Sequence, residues 1–198
     1  MMKHISRREA LKKSAWLLGS TLSASTVAGI LNGCSAKPEL LWSPKFFDEN
    51  QAKLINTLAE IILPETDTKG AVTLGVPGFI EEMAHLVISD KEKDKFSKGM
   101  RAFSELCERE TQKDFNDLND SEQQSFVARL LKREQSADMP VWKEGYRFFR
   151  KVRELTIVGF FTTEYGCTQV LQYQAIPVDY NACVPLNEAG NGKNWATR

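Results

Sequence analysis

The stretch PVWKEGYRFFRKVRELTIVGFFTTEY, residues 140–165, decides the fold. Trp142, Tyr146, Phe149, Val152 and Leu155 recur at steps of three and four, the spacing that lines one face of an α-helix. Pro140 at its head suits a first helical turn, where the N–H that proline lacks has no intrahelical partner to lose. The spacing predicts the longest helix of the chain, from Pro140 to about Tyr165. Such a helix has one apolar stripe and has to bury it against other helices.

Upstream the same period returns in shorter pieces. Ser121-x-x-Gln124 reads as a capping box opening a helix through Phe126, Val127, Leu130 and Leu131, with Phe115 to Asp120 as the loop before it. Phe96, Met100, Phe103 and Cys107 form the cleanest stripe, which places Cys107 on a buried face as a small hydrophobe. The charged run Asp90 to Asp94 reads as the break in front of that helix. Val76-Pro77 starts another, with Ile80, Met83, Ala84 and Val87 inward. Pro64 to Gly70 is all turn formers and polar residues. Ser43-Pro44 predicts the start of the first helix, whose apolar positions are Phe47, Leu54, Leu58 and Ile61. No segment alternates with period two for long enough to make a strand. The expected fold is therefore all-α, a single helical domain of about five helices over residues 44–165, reached through a tether at residues 34–43.

Residues 166–198 behave differently. They hold no sustained helical period, yet Val170, Leu171, Tyr173, Ile176, Val178, Tyr180, Val184 and Leu186 keep the segment apolar, and Pro177 and Pro185 favour an extended chain. A disordered tail should be polar and poor in aromatics. This one needs a surface to lie on, either the protein's own helices or another protein. Asn187 to Arg198 is polar and is expected to fray.

The first residues are not part of the fold. Ser6-Arg7-Arg8-Glu9-Ala10-Leu11-Lys12-Lys13 is basic, residues 14–33 are uncharged and mildly apolar, and Leu31-Asn32-Gly33-Cys34 closes the run. A basic segment, an apolar segment and a small-residue exit describe an export signal. The adjacent Arg7 and Arg8 resemble the twin-arginine signal, read by a translocase that carries folded proteins. Leu31-x-Gly33-Cys34 looks like a lipobox, which would make Cys34 the lipidated first residue of a periplasmic, membrane-anchored chain. An ordinary secretory signal and an uncleaved anchor are the competing readings. Without residues 1–33 the chain has 21 basic against 25 acidic residues, a net charge of about −4. That balance argues against nucleic acid as a partner.

Catalytic patterns are sparse. Beyond the leader there is one histidine, His85, off its helix stripe, and no Gly-x-Gly-x-x-Gly, Gly-x-x-x-x-Gly-Lys or Gly-x-Ser-x-Gly occurs. Glu65 with Asp67, or Glu164, are the available carboxylates for acid–base work, although turn and helix-end positions favour structural roles. Cys107, Cys167 and Cys183 are an odd set with no Cys-x-x-Cys spacing.

Two stretches resemble a known family. Leu54-Ile55-x-x-Leu58-Ala59-Glu60-Ile61-Ile62-Leu63-Pro64-Glu65-Thr66-Asp67-Thr68-x-Gly70-Ala71, followed by Gly75-Val76-Pro77-x-Phe79-Ile80, is similar to the opening of the gluconate 2-dehydrogenase subunit 3 family. Leu155-Thr156-x-x-Gly159-Phe160-Phe161-Thr162-Thr163-Glu164-x-Gly166-x-Thr168, then Pro177 to Leu186, resembles its closing segment. The resemblance implies a non-catalytic small subunit. FAD would sit on a GMC-type dehydrogenase large subunit that lacks its own signal, and haem c on a third, cytochrome c subunit. It implies a role in maturing and exporting the large subunit, whose substrate would be gluconate or a related sugar or polyol. Phe160, Tyr165, Tyr173, Tyr180, Val184 and Leu186 are then the expected partner-binding residues. Cys183 becomes a candidate for an intersubunit disulfide, and Cys167 with Cys183 for an internal one. The alternative is a stand-alone lipid-anchored periplasmic enzyme, or an assembly factor.

Overall fold

The computed structural model describes residues 40–132, 140–176, 183–185, 187–188 and 192–196. The expectations for Arg7, Arg8, Cys34, Tyr180 and Leu186 lie outside the described residues. Among those described there is no strand, and five α-helices follow one another: α1 (Glu49–Ile62), α2 (Val76–Glu82), α3 (Asp90–Thr111), α4 (Asp120–Lys132) and α5 (Pro140–Thr162). A π turn, Met83–Val87, prolongs α2, a 3-10 turn at Phe115–Asp117 precedes α4, and a second π turn, Gly166–Val170, follows α5. The all-α expectation is met.

The long helix organises the rest. Trp142, Tyr146, Phe149, Val152 and Leu155 are all buried, as their spacing requires. α5 packs most extensively on α3 and also meets α1 and α2. The α3–α5 approach is close because Gly145 faces Phe103, where an added Cβ would lie 3.1 Å from the Phe103 Cα. Phe103 is fully buried, with the rings of Phe115, Phe126 and Phe148 at 5.2, 5.4 and 5.7 Å. The Phe115 and Phe126 rings meet it edge-to-face, the arrangement that the ring quadrupole favours. Cys107 belongs to this core, and burial pushes its thiol pKa up, which removes the thiolate that reactivity would need.

Three helix starts differ from the sequence reading, two of them for a capping reason. α1 begins at Glu49, not at Ser43-Pro44, because Asp48 and Gln51 form a reciprocal capping box. α3 begins at Asp90, with the charged run as its first turn; Asp90 and Glu92 sit there against the positive end of the helix dipole. α4 is capped two residues early. The Asn119 side chain accepts from the Glu122 N–H and the Glu122 carboxylate accepts from the Asn119 N–H, both at 2.9 Å, in place of Ser121 and Gln124. Two stripe positions also face outward, Val87 in the π turn and Leu131 near the end of α4.

Candidate functional site

The two stretches that carry the family resemblance lie far apart in sequence and meet at the closing end of α5. Gly159 makes the meeting possible. A Cβ there would stand 2.7 Å from Phe79 Cδ1 and 2.9 Å from Val76 Cγ1, so α2 rests its side chains on the bare backbone of α5. Gly75, in the left-handed region at φ 73°, turns the chain into α2, and Pro77 fills its first turn. The connection before it is closed by the Thr66 N–H donating to the Thr68 carbonyl at 3.0 Å and the Ala71 N–H to the Leu63 carbonyl at 2.9 Å. Lys69 projects from this loop over the Tyr165 ring, 5.5 Å from its centroid, joining the loop to the residues just past α5.

α5 ends through its own hydroxyls. The Thr163 hydroxyl donates to the Phe160 carbonyl at 2.7 Å and accepts from the Gly166 N–H at 3.0 Å, which leads the chain into the π turn. Residues 166–170 are thus helical in character, not extended as expected. Beyond them the chain folds back on itself. The Gln172 N–H donates to the Asn194 carbonyl at 2.8 Å, the Ala196 N–H to the Gln172 carbonyl at 2.7 Å, and the Lys193 ammonium to the Gln169 carbonyl at 2.6 Å. Residues 192–196 are therefore pinned, contrary to the expected fraying, because backbone groups satisfy one another where side chains offer little.

The expected partner-binding residues divide. Phe160 is a correction: it is buried, 6% exposed, with edge-to-face rings from Phe161 and Tyr165 at 5.2 and 6.4 Å. Tyr165 and Val184 are half-buried and Tyr173 is exposed. The outward residues at this end are instead Ile157, Val158 and Phe161, with Ile176 in the tail at 78% exposure. Their signal was present in the sequence as apolar residues one position off the buried stripe, on the face that should have turned polar. Cys107, Cys167 and Cys183 are free thiols, so the internal bridge considered for Cys167 and Cys183 is not formed. The Cys167 thiol points to the Phe161 carbonyl, 3.0 Å away.

The groups considered for chemistry are dispersed. Glu65, Asp67 and Glu164 are exposed, and the Glu65 carboxylate accepts the Thr73 hydroxyl. His85 is exposed and stacks on Phe46 with ring centroids 3.5 Å apart. Among the described residues no group of three or more His, Cys, Asp or Glu is arranged to hold a metal ion. An open cleft of ≈ 370 Å³ between α1 and α3 has Leu54, Met100 and Phe115 in its lining and Asp48, Arg101, Glu105, Glu108 and Asp114 among its charged residues.

One buried carboxylate escaped the sequence reading. Glu81 of α2 is 2% exposed. Its Oε1 accepts the N–H groups of Lys45, Phe46 and Phe47 at 2.9, 2.8 and 2.9 Å, and its Oε2 accepts the Trp42 indole N–H at 3.0 Å. Burial alone would raise its pKa and is the largest single influence, but the four donors together outweigh it and hold the group below the ordinary carboxylate range. Glu81 thus straps residues 42–47, the segment that precedes α1, onto α2. The available clue was its place beside Pro77, Ile80 and Ala84 on the inward side of α2.

No curated protein sequence and no solved structure matches the chain. The family described as Gluconate 2-dehydrogenase subunit 3 matches residues 49–179, from the start of α1 past the end of α5, and the chain belongs to this family, named for a subunit of a multi-subunit dehydrogenase.

Proposed function

We propose that the chain is the non-catalytic small subunit of a periplasmic, FAD-dependent, GMC-type dehydrogenase of gluconate or a related sugar or polyol. In this reading the large subunit carries the flavin and lacks an export signal, and a third subunit carries haem c. The small subunit helps the large one mature and takes it through the twin-arginine translocase by means of Arg7 and Arg8. Cys34, once lipidated, holds the assembly at the membrane.

The observation that supports this reading most is the end of α5. The family's two characteristic stretches converge there, and Ile157, Val158, Phe161, Tyr173 and Ile176 leave apolar surface facing out. Apolar surface set on a rigid helix end is what a stable interface of about 1,600 Å² is built around.

Purifying the tagged full chain after co-expression with a flavoprotein dehydrogenase tests the assignment. The expected result is a complex in which acceptor-dependent oxidation of a sugar, sugar acid or polyol and the yellow flavin both follow the larger polypeptide. Recovery of the chain alone, with flavin of its own or with turnover of its own, would overturn it.

A further inference from the structure

The outward face of α5 carries a second pattern, in charge. Between Pro140 and Thr162 there are five basic residues, Lys143, Arg147, Arg150, Lys151 and Arg153, against two acidic ones, Glu144 and Glu154. The rest of the chain after residue 33 has 16 basic against 23 acidic residues, so positive charge is concentrated on this one helix of an otherwise acidic protein. The spacing puts these cations on the face away from the core. Arg147, Arg150 and Arg153 are exposed, and between them Phe148, Phe149 and Val152 point inward. Arg147 and Lys151 meet Glu144 and Glu154 at 3.1 and 3.2 Å, while Arg150 and Arg153 have no carboxylate partner among the described residues. An open depression of ≈ 700 Å³ runs along this face from Tyr146 to Ile157.

Immediately beyond it, on the same helix, come the exposed Ile157, Val158 and Phe161. From Arg147 to Phe161 the strip is about 21 Å long at 1.5 Å per residue, basic at one end and apolar at the other. A helix that lies on an anionic membrane places its cations on either side of an apolar stripe running its whole length. Here the two kinds of residue are separated end to end, which is the layout of a protein interface with an apolar centre and a charged margin.

We propose that this strip of α5 is a docking surface for an acidic face of the dehydrogenase subunit, with Arg147, Arg150 and Arg153 opposite carboxylates and Ile157, Val158 and Phe161 opposite an apolar patch. The proposal rests on the functional reading above. The arginines steer and orient the encounter, and the apolar end excludes water once the two are seated. Guanidinium groups suit this because they bind carboxylates in a planar, two-pronged fashion and are weakly hydrated.

The test is the triple variant Arg147→Glu/Arg150→Glu/Arg153→Glu in the full chain, co-expressed with the flavoprotein that accompanies the unaltered chain, with the triple Arg→Lys variant alongside. The charge-reversed chain should keep its helical circular dichroism and lose complex by about a hundredfold, within the range of electrostatic steering. The Arg→Lys chain, which keeps the charge but loses the two-pronged contact, should fall between the two, and raising the salt should weaken the unaltered complex. Undiminished complex formation by the charge-reversed chain would overturn the surface and leave the functional reading intact. If no flavoprotein accompanies even the unaltered chain, that reading falls and this proposal with it. Charge reversal that abolishes binding to phosphatidylglycerol vesicles, or self-association of the purified chain, while leaving the flavoprotein complex unchanged would also overturn it, in favour of a membrane or a second copy.

Discussion

Glu81 shows how much a single side chain can hold in place. Its carboxylate satisfies three consecutive backbone N–H groups and an indole, none of which has a helix or sheet to satisfy it. In Glu81→Gln the amide oxygen can replace Oε1, but the amide nitrogen then faces the Trp42 indole N–H, donor against donor. A hydrogen bond to a charged group is worth about 1.5–3 kcal/mol, so the variant should lose about 2 kcal/mol, limited because residues 42–47 can peel away and return their N–H groups to water. The pH dependence follows from the direction of the shift. The folded-state pKa lies below the unfolded one, so the carboxylate's contribution is complete above about pH 4.3 and fades as the pH falls through the lower folded value. Thermal melts of the two proteins should therefore differ most at neutral pH and converge in acid; a difference that grows in acid would contradict this. Its inward place on α2 was legible in the sequence, but its partners were not, since the donors lie 34 to 39 residues upstream in a segment without period.

At the scale of the element, α5 was legible, its start at Pro140 included, whereas the starts of α1, α3 and α4 were not. A stripe of five apolar residues at helical spacing has one way to be buried, and all five are. The caps followed a looser code: Asn119-x-x-Glu122 and Ser121-x-x-Gln124 both fit the box, and only the chain geometry chooses between them. Phe160 was misassigned because α5 meets α2 as well as α3, which buries a second flank of its last turns. Gly159 at that crossing should tolerate little. Gly159→Val would drive side-chain atoms into Phe79 and Val76 and should destabilise the fold by about 1–3 kcal/mol, read from urea unfolding. An unchanged midpoint would mean that α2 does not depend on the bare backbone there. Phe161→Asp, two residues away but outward, gives up the edge-to-face contact with Phe160 and sets a negative charge in the last turn of α5, so it should cost about 1 kcal/mol of stability. The same change should weaken the complex by about 2 kcal/mol, or roughly thirtyfold, if Phe161 anchors the partner. Equal losses of stability and of binding would make it a core residue instead.

For the whole molecule, the parts fit one task. A helical body holds two distant stretches together at one end, and it presents apolar and basic surface along its longest helix. In the proposed function, residues 1–33 add an export signal for a folded protein ahead of that body. Composition and charge were legible at once, but not which surface stays exposed, because that depends on which flanks of α5 the other helices cover. In the proposed function this chain supplies the export address for an enzyme that has none. The most direct test of that role is cell fractionation of the co-expressed flavoprotein with Arg7→Lys/Arg8→Lys in this chain. Dehydrogenase activity should move from the periplasm to the cytoplasm; activity that stays fully periplasmic would overturn the proposed export role.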